Sequence, residues 1–267
     1  MGDLQLLIST MHQTDHTLLE RMRVSSDAVV VNQCDKDETV RFQYNGYNIT
    51  WINSTERGLS KSRNMALRAA TAEICVLADD DLEYCDDYAN TILRAFQDNK
   101  NADIIRFEIE GIERKFKQYD HIPRQYGYLG VQKMSSVEIA FRRRVLAEKG
   151  IWFNELIGAG TKYLMGEESA LLVHCLKKKM AVRYYPTVVA RLHIGTSTWF
   201  RGFNSEYFVG RGAAYAAMDR SLSPALIFQF AVRKRKRYKE NMSPLSAMRY
   251  MFQGRNQYMR EVKEYDT

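Results

Sequence analysis

Ile74-Cys75-Val76-Leu77-Ala78-Asp79-Asp80-Asp81-Leu82-Glu83-Tyr84 is the stretch that decides how the rest of the chain is read. An apolar run of strand length, β-branched at Ile74 and Val76, stops abruptly in three carboxylates. A strand interior cannot hide such groups without a large desolvation cost, so the acids belong at a strand end. In open α/β sheets ligands bind at that end, and clustered oxygens there suit a hard divalent cation, Mg²⁺ or Mn²⁺, that also touches phosphates. An acidic turn capping the following helix is the plainer alternative.

Upstream, Leu4-Gln5-Leu6-Leu7-Ile8-Ser9-Thr10 reads as a first strand, and Ala28 to Asp35 as a second that again finishes in a carboxylate. Ile49 to Asn53 is a third. Strands separated by helix-length segments predict a mostly parallel sheet flanked by crossover helices, with Asp35 on the same edge as the acidic triplet. Asp35 as a simple turn residue is the alternative. Between these strands and the triplet, Arg57-Gly58-Leu59-Ser60-Lys61-Ser62-Arg63-Asn64 opens a helix with Gly and Ser. Lys61 and Arg63 in its first turn oppose the macrodipole, which an anion such as a diphosphate would offset.

Downstream, Asp86 to Phe96 carries the apolar stripe of a core-packed helix, and Ala102 to Ile109 reads as a strand. Residues 111–134 are read as an extended hairpin or mobile loop able to cover a cleft. Ser136 to Arg143 alternates like a strand, and Val145 to Gly150 follows as a short helix. Gly158-Ala159-Gly160 lacks the full dinucleotide fingerprint. Gly166-Glu167-Glu168 opens a helix whose dipole accounts for one of the two acids and leaves the other for chemistry. Ala181 to Leu192, interrupted by Pro186, predicts two short strands meeting at a bend and closing on His193, as a structural residue or a ligand.

A chain of 267 residues accommodates one large α/β domain, expected over 1–218, and a helical basic extension over 219–267. No run approaches the ~20 apolar residues of a membrane span, and the first residues lack a charged-then-apolar leader, so an unsecreted protein is expected. Cys34, Cys75, Cys85 and Cys175 show no metal-ligand spacing and are expected to be reduced. The net charge is +7, and residues 220–267 hold 11 Lys and Arg against 4 Asp and Glu, so the main domain is balanced and the extension is basic. Within it, Leu222 to Val232 is apolar and abuts Arg233-Lys234-Arg235-Lys236-Arg237-Tyr238-Lys239. That is the pattern of a helix lying on an anionic membrane surface.

Three pieces in order, Arg57 to Asn64, Leu77 to Asp81 and Gly166-Glu167-Glu168, make the chain resemble a family 2 glycosyltransferase of the GT-A fold. The kind is that which builds bacterial capsule, exopolysaccharide or O-antigen, and the likeness covers roughly residues 4–215. It implies an inverting hexosyltransferase using Mn²⁺ or Mg²⁺ and a nucleotide-sugar donor, UDP-linked by default. The acceptor it implies is a saccharide, lipid-linked, with the enzyme cytoplasmic and peripheral on the inner face of the plasma membrane; a homodimer is a further expectation. By the same resemblance Thr10 and Asp35 face the base, Arg63 lies near the diphosphate, Asp79 and Asp80 bind the donor, Asp81 holds the metal and Glu168 is the general base. His193, in His193-Ile194-Gly195-Thr196-Ser197-Thr198, is carried as a second metal ligand. The pattern departs from the family at Asn32-Gln33-Cys34-Asp35, where Asp-Asp-Gly-Ser is common, and at Glu167-Glu168, where Glu-Asp is common.

Two other classes compete with this reading. A sugar-nucleotide pyrophosphorylase would open with a glycine-rich loop, absent from Thr10-Met11-His12-Gln13-Thr14. A nucleic-acid-associated protein using the basic extension lacks any supporting motif in the balanced main domain, and no nucleic-acid partner is expected.

Overall fold

A computed structural model describes residues 3–195 and 202–265. The chain runs β1 (Leu4–Met11), α1 (Leu18–Arg21), β2 (Asp27–Gln33), β3 (Glu38–Tyr44), β4 (Tyr47–Ser54), α2 (Leu59–Ala69), β5 (Ile74–Asp79), β6 (Leu82–Tyr84), α3 (Tyr88–Asp98) and β7 (Ile104–Gly111). A long loop then carries β8 (Arg124–Gln125) and α4 (Tyr128–Val131). A 3₁₀ turn at Ser136–Glu138 leads into β9 (Ile139–Arg142), α5 (Arg143–Glu148), α6 (Glu167–Lys177) and β10 (Val182–Leu192). The last four helices are α7 (Ser205–Met218), α8 (Ser223–Arg233), α9 (Arg235–Tyr238) and α10 (Pro244–Tyr265).

The chain divides into two compact units. The first takes the chain up to Arg57, Lys61–Trp152 and the stretch from Cys175 through β10. It is a single sheet in the order β3-β4-β2-β1-β5-β9-β7-β10-β6, with β8 added on β10. The expected mostly parallel sheet is instead mixed. β4, β2, β1 and β5 run parallel, as do β7 and β10, whereas β3, β9, β6 and β8 each pair antiparallel. The cause is local for β3, which occupies residues expected to form a crossover. Asn45 and Gly46, at φ 50° and 85°, make a tight turn into β4 whose twist suits a hairpin.

Parallel register brings the strand ends of the site together, since Ser9 lies opposite Asp79 and Thr10 opposite Asn32. Leu6, Ile8, Val30, Val76, Ala78, Ile105 and Phe107 stand in the core beneath them. β10 is one strand rather than two. Pro186 cannot donate to the ladder, and its pairing with β7 shifts register between Tyr184 and Val188 instead of breaking.

The second unit comprises Gly58–Ser60, Phe153–His174 and the helices from α7 onward. The Asn204 side chain caps α7 by accepting from the Tyr207 amide at 2.9 Å. α7 and α10 cross in backbone contact. A Cβ on Gly212 would fall 1.8 Å from the Met251 carbonyl oxygen, and one on Gly254 would fall 1.9 Å from that of Val209. Phe208, Phe230 and Tyr238 pack as an aromatic cluster, with Phe230 and Tyr238 stacked 3° from parallel. Among the described residues no helix is long and apolar enough to cross a membrane.

Candidate active site

β5 is buried through Ala78, Asp79 is half-buried, and Asp80 and Asp81 lie at the exposed strand end, as their desolvation cost requires. Two of the three are held by first-unit side chains. Asp79 accepts from Nη2 of Arg63 at 3.0 Å on one oxygen and from the Ser136 hydroxyl at 3.3 Å on the other. Asp80 accepts from the Thr10 hydroxyl at 2.6 Å, and that hydroxyl in turn accepts from the Gln13 amide at 3.0 Å. Asp81 takes no side-chain hydrogen bond among the described residues. Partial burial, with the charges of Asp79 and Asp80, pushes its carboxyl up to about 7.

The cations in the first turn of α2 have carboxylate partners. Arg63 is 1% exposed and directed at Asp79, and Lys61 pairs with Glu56. Arg63, expected beside a diphosphate, thus sits behind the acidic triplet and fixes its first member. Asp35 lies past the end of β2 with its side chain 91% exposed, where Nη2 of Arg57 holds it at 2.7 Å. The neighbouring strand ends are tied by Asn32, whose amide donates to Asn53 at 2.8 Å and to the Gln13 carbonyl at 2.9 Å.

His193 closes β10 with its amide on the Asp81 carbonyl at 2.9 Å. Its ring lies between carboxylates, Nδ1 at 3.0 Å from Glu113 and Nε2 at 2.5 Å from Glu83. Those hydrogen bonds, Glu113's first, raise its pKa. The segment Thr196-Ser197-Thr198 lies outside the described residues.

Ser136 was not singled out by sequence reading, because what places it is distant in the chain. Glu138, in the same 3₁₀ turn, is fully buried and accepts from Arg106 at 2.7 Å, Lys117 at 2.8 Å, Tyr119 at 2.7 Å and the Ser135 amide at 2.6 Å. The last bond closes a capping box that fixes the turn presenting Ser136 to Asp79. It also ties down the 111–134 loop through Lys117 and Tyr119. Glu138→Ala would leave Arg106 buried and uncompensated. The expected cost is about 3–5 kcal/mol in urea denaturation, and a loss under about 1 kcal/mol would show the network to be solvated.

In the second unit, Glu167 and Glu168 open α6, where two acids favour the dipole. Glu167 is buried, and Gly158, at φ +114°, makes room for it. A Cβ there would come within 3.2 Å of the Glu167 side chain and 2.9 Å of the Ser60 hydroxyl. Glu168 lies within electrostatic reach of Arg211 on α7. Burial opposes that guanidinium's charge, but Tyr207, Tyr215 and Glu168 outweigh it and hold its pKa high. Nothing local in the sequence marks Arg211 as Glu168's counter-charge.

Among the described residues no three His, Cys, Asp or Glu side chains form a ready-made metal cage. A cation held mainly by donor phosphates and water needs only one or two carboxylates. Asp81, ionising against its neighbours' charge, fits that requirement.

The model of Glycosyl transferase family 2 matches residues 9–150, just over half of the chain. The chain therefore belongs to glycosyltransferase family 2 and is a glycosyltransferase. Among solved structures, residues 1–349 of TarS from S. aureus in complex with UDP-GlcNAc superpose with a TM-score of 0.67 at 13% identity, covering 97% of this chain and 81% of that one. The mannosyltransferase PcManGT from Pyrobaculum calidifontis, in complex with GDP-Man and Mn²⁺, gives 0.52 at 16% identity, covering 95% and 74%. No curated protein matches the chain. Family membership favours the transferase over the pyrophosphorylase reading.

Proposed function

We propose that the chain is an inverting, metal-dependent transferase. It moves a sugar from a nucleoside-diphosphate donor, UDP-linked by default, to a lipid-linked saccharide in bacterial surface polysaccharide synthesis, at the inner face of the plasma membrane. The observation that carries this reading is the strand-end triplet in which Asp79 and Asp80 are clasped by side chains while Asp81 takes no side-chain hydrogen bond among the described residues. The donors seen in complexes of the structural neighbours support a nucleotide sugar.

Breaking the sugar–phosphate bond leaves positive charge at the anomeric carbon and negative charge on the departing diphosphate. A divalent cation, when bound, would supply Lewis-acid stabilisation of that diphosphate, and Asp81 is the residue that would hold it; His193, expected as a second ligand, has both ring nitrogens engaged by Glu113 and Glu83. Thr10 orients Asp80, while Arg63 and Ser136 orient Asp79, so the donor meets fixed acceptors for its hydroxyls. Asp35, held by Arg57, borders the base. Glu168 takes the acceptor hydroxyl's proton as attack proceeds from the opposite face, which inverts the anomeric centre.

Nucleotide sugars should raise the melting temperature in the presence of Mn²⁺. At ~100 times the dissociation constant the gain is about 2.7 kcal/mol. Because Asp81 holds its proton up to about pH 7, the metal must displace it. Mn²⁺-dependent donor affinity is therefore expected to weaken about tenfold per pH unit below 7 and to level off above. No stabilisation by any nucleotide sugar would overturn the function, and a flat profile between pH 6 and 8 would remove Asp81 from the metal.

A further inference from the structure

α8 has two apolar faces, and the fold uses one. Leu226, Ile227 and Ala231 are buried, and Phe230 joins the aromatic cluster. On the opposite side Leu222, Phe228 and Val232 are 47%, 62% and 57% exposed, with exposed Ala225 between them at helical spacing. The helix contains no acidic residue. Arg233, Lys234, Arg235, Lys236, Arg237 and Lys239 follow directly, all exposed. This cationic turn is fixed in place. Tyr238, in its midst, is buried, donates to the Ala231 carbonyl at 2.5 Å and packs on Phe208 and Phe230.

We propose that this face of α8, with the cationic turn after it, is a docking surface for an anionic lipid bilayer, the helix lying in the plane of the interface. Charge complementarity and apolar exposure select that occupant together. A polyanion in solution would engage the cations and leave Phe228 and Val232 in water. An apolar protein groove would cover the stripe and make no use of the cationic turn. A bilayer interface takes the apolar side chains at acyl depth and the cations at its headgroups, the arrangement of in-plane amphipathic helices. The surface deepens the proposed function by putting the enzyme where a lipid-linked acceptor resides, and it rests on that reading only for the acceptor.

The full chain should float with phosphatidylcholine vesicles containing about one third phosphatidylglycerol and not with phosphatidylcholine alone, and raising salt from 0.1 to 0.5 M should release most of it. Replacing Phe228 and Val232 with Ser should cut the bound fraction at least fivefold at either salt. Replacing Arg233, Arg235, Lys236, Arg237 and Lys239 with Ser should abolish binding at both. Unchanged melting temperature and far-ultraviolet circular dichroism would show both variants folded. Equal binding to neutral vesicles, flotation insensitive to both variants, or a preference for RNA or an acidic protein over vesicles would overturn the proposal. No sugar donor is needed, so failure here is distinguishable from failure of the transferase reading.

Discussion

Asp81→Asn is expected to abolish Mn²⁺-dependent transfer, by more than about 10³-fold, and at the same time to make the protein more stable. Both effects come from one charge. Asp81 in the fold keeps its proton up to about pH 7 because of burial and then the repulsion of Asp79 and Asp80. An unfolded aspartate releases its proton near 3.9. Between those values the folded chain binds more protons than the unfolded one, so this residue's contribution to stability declines as pH rises through that window. Asparagine has no charge to expose to its neighbours. Allowing for solvent screening at this exposed edge, the gain is about 1–2 kcal/mol above pH 7 and nothing near pH 4. Melting curves at the two pH values, beside turnover with Mn²⁺, check both halves. Retained metal-dependent turnover would remove Asp81 from the metal, and a variant less stable at pH 8 would show that its carboxylate is held by unaccounted donors.

Glu168→Gln is expected to lower turnover by about 10²–10⁴-fold with donor affinity little changed, because the amide keeps size and hydrogen bonding but cannot accept a proton. The comparison with Glu167→Gln is decisive. Glu167 is buried against Gly158, so its amide variant should show lost stability before lost chemistry. Glu168 is partly exposed and faces the charge of Arg211. If Glu167→Gln is the crippling change and Glu168→Gln the mild one, the roles are reversed.

What the sequence made legible was whatever depends on neighbours in the chain. The apolar run ending in Asp79 declared a strand and its solvated end, and helix α8 is visible in Leu222 to Val232 with its proline near the start. The hairpin at Asn45-Gly46 carried a turn signal that the crossover expectation passed over. Other features had no local mark. Arg63 looks the same in a sequence whether it faces a phosphate or a carboxylate of the chain itself, and the parallel register of β1 and β5 beside α2 brings it to Asp79. Ser136 and Glu138 act through Arg106 and Lys117, and Glu138 lies 32 and 21 positions from them in the chain. The extension was expected to be helical, but its crossing with α7 had no local mark, because Gly212 and Gly254, weak helix formers by type, are what that close approach demands.

That crossing governs how the C-terminal helices can be studied. With Gly212 against the Met251 backbone and Gly254 against that of Val209, α10 is part of what α7 folds upon. A deletion ending before Pro244 would strip from α7 the backbone that Val209 and Gly212 pack against. Such a truncate would aggregate or be degraded, and its loss of activity would be mistaken for loss of membrane recruitment. The extension is separable in function only by changing side chains on its outer faces, and an experiment that treats it as a removable tag will be measuring misfolding.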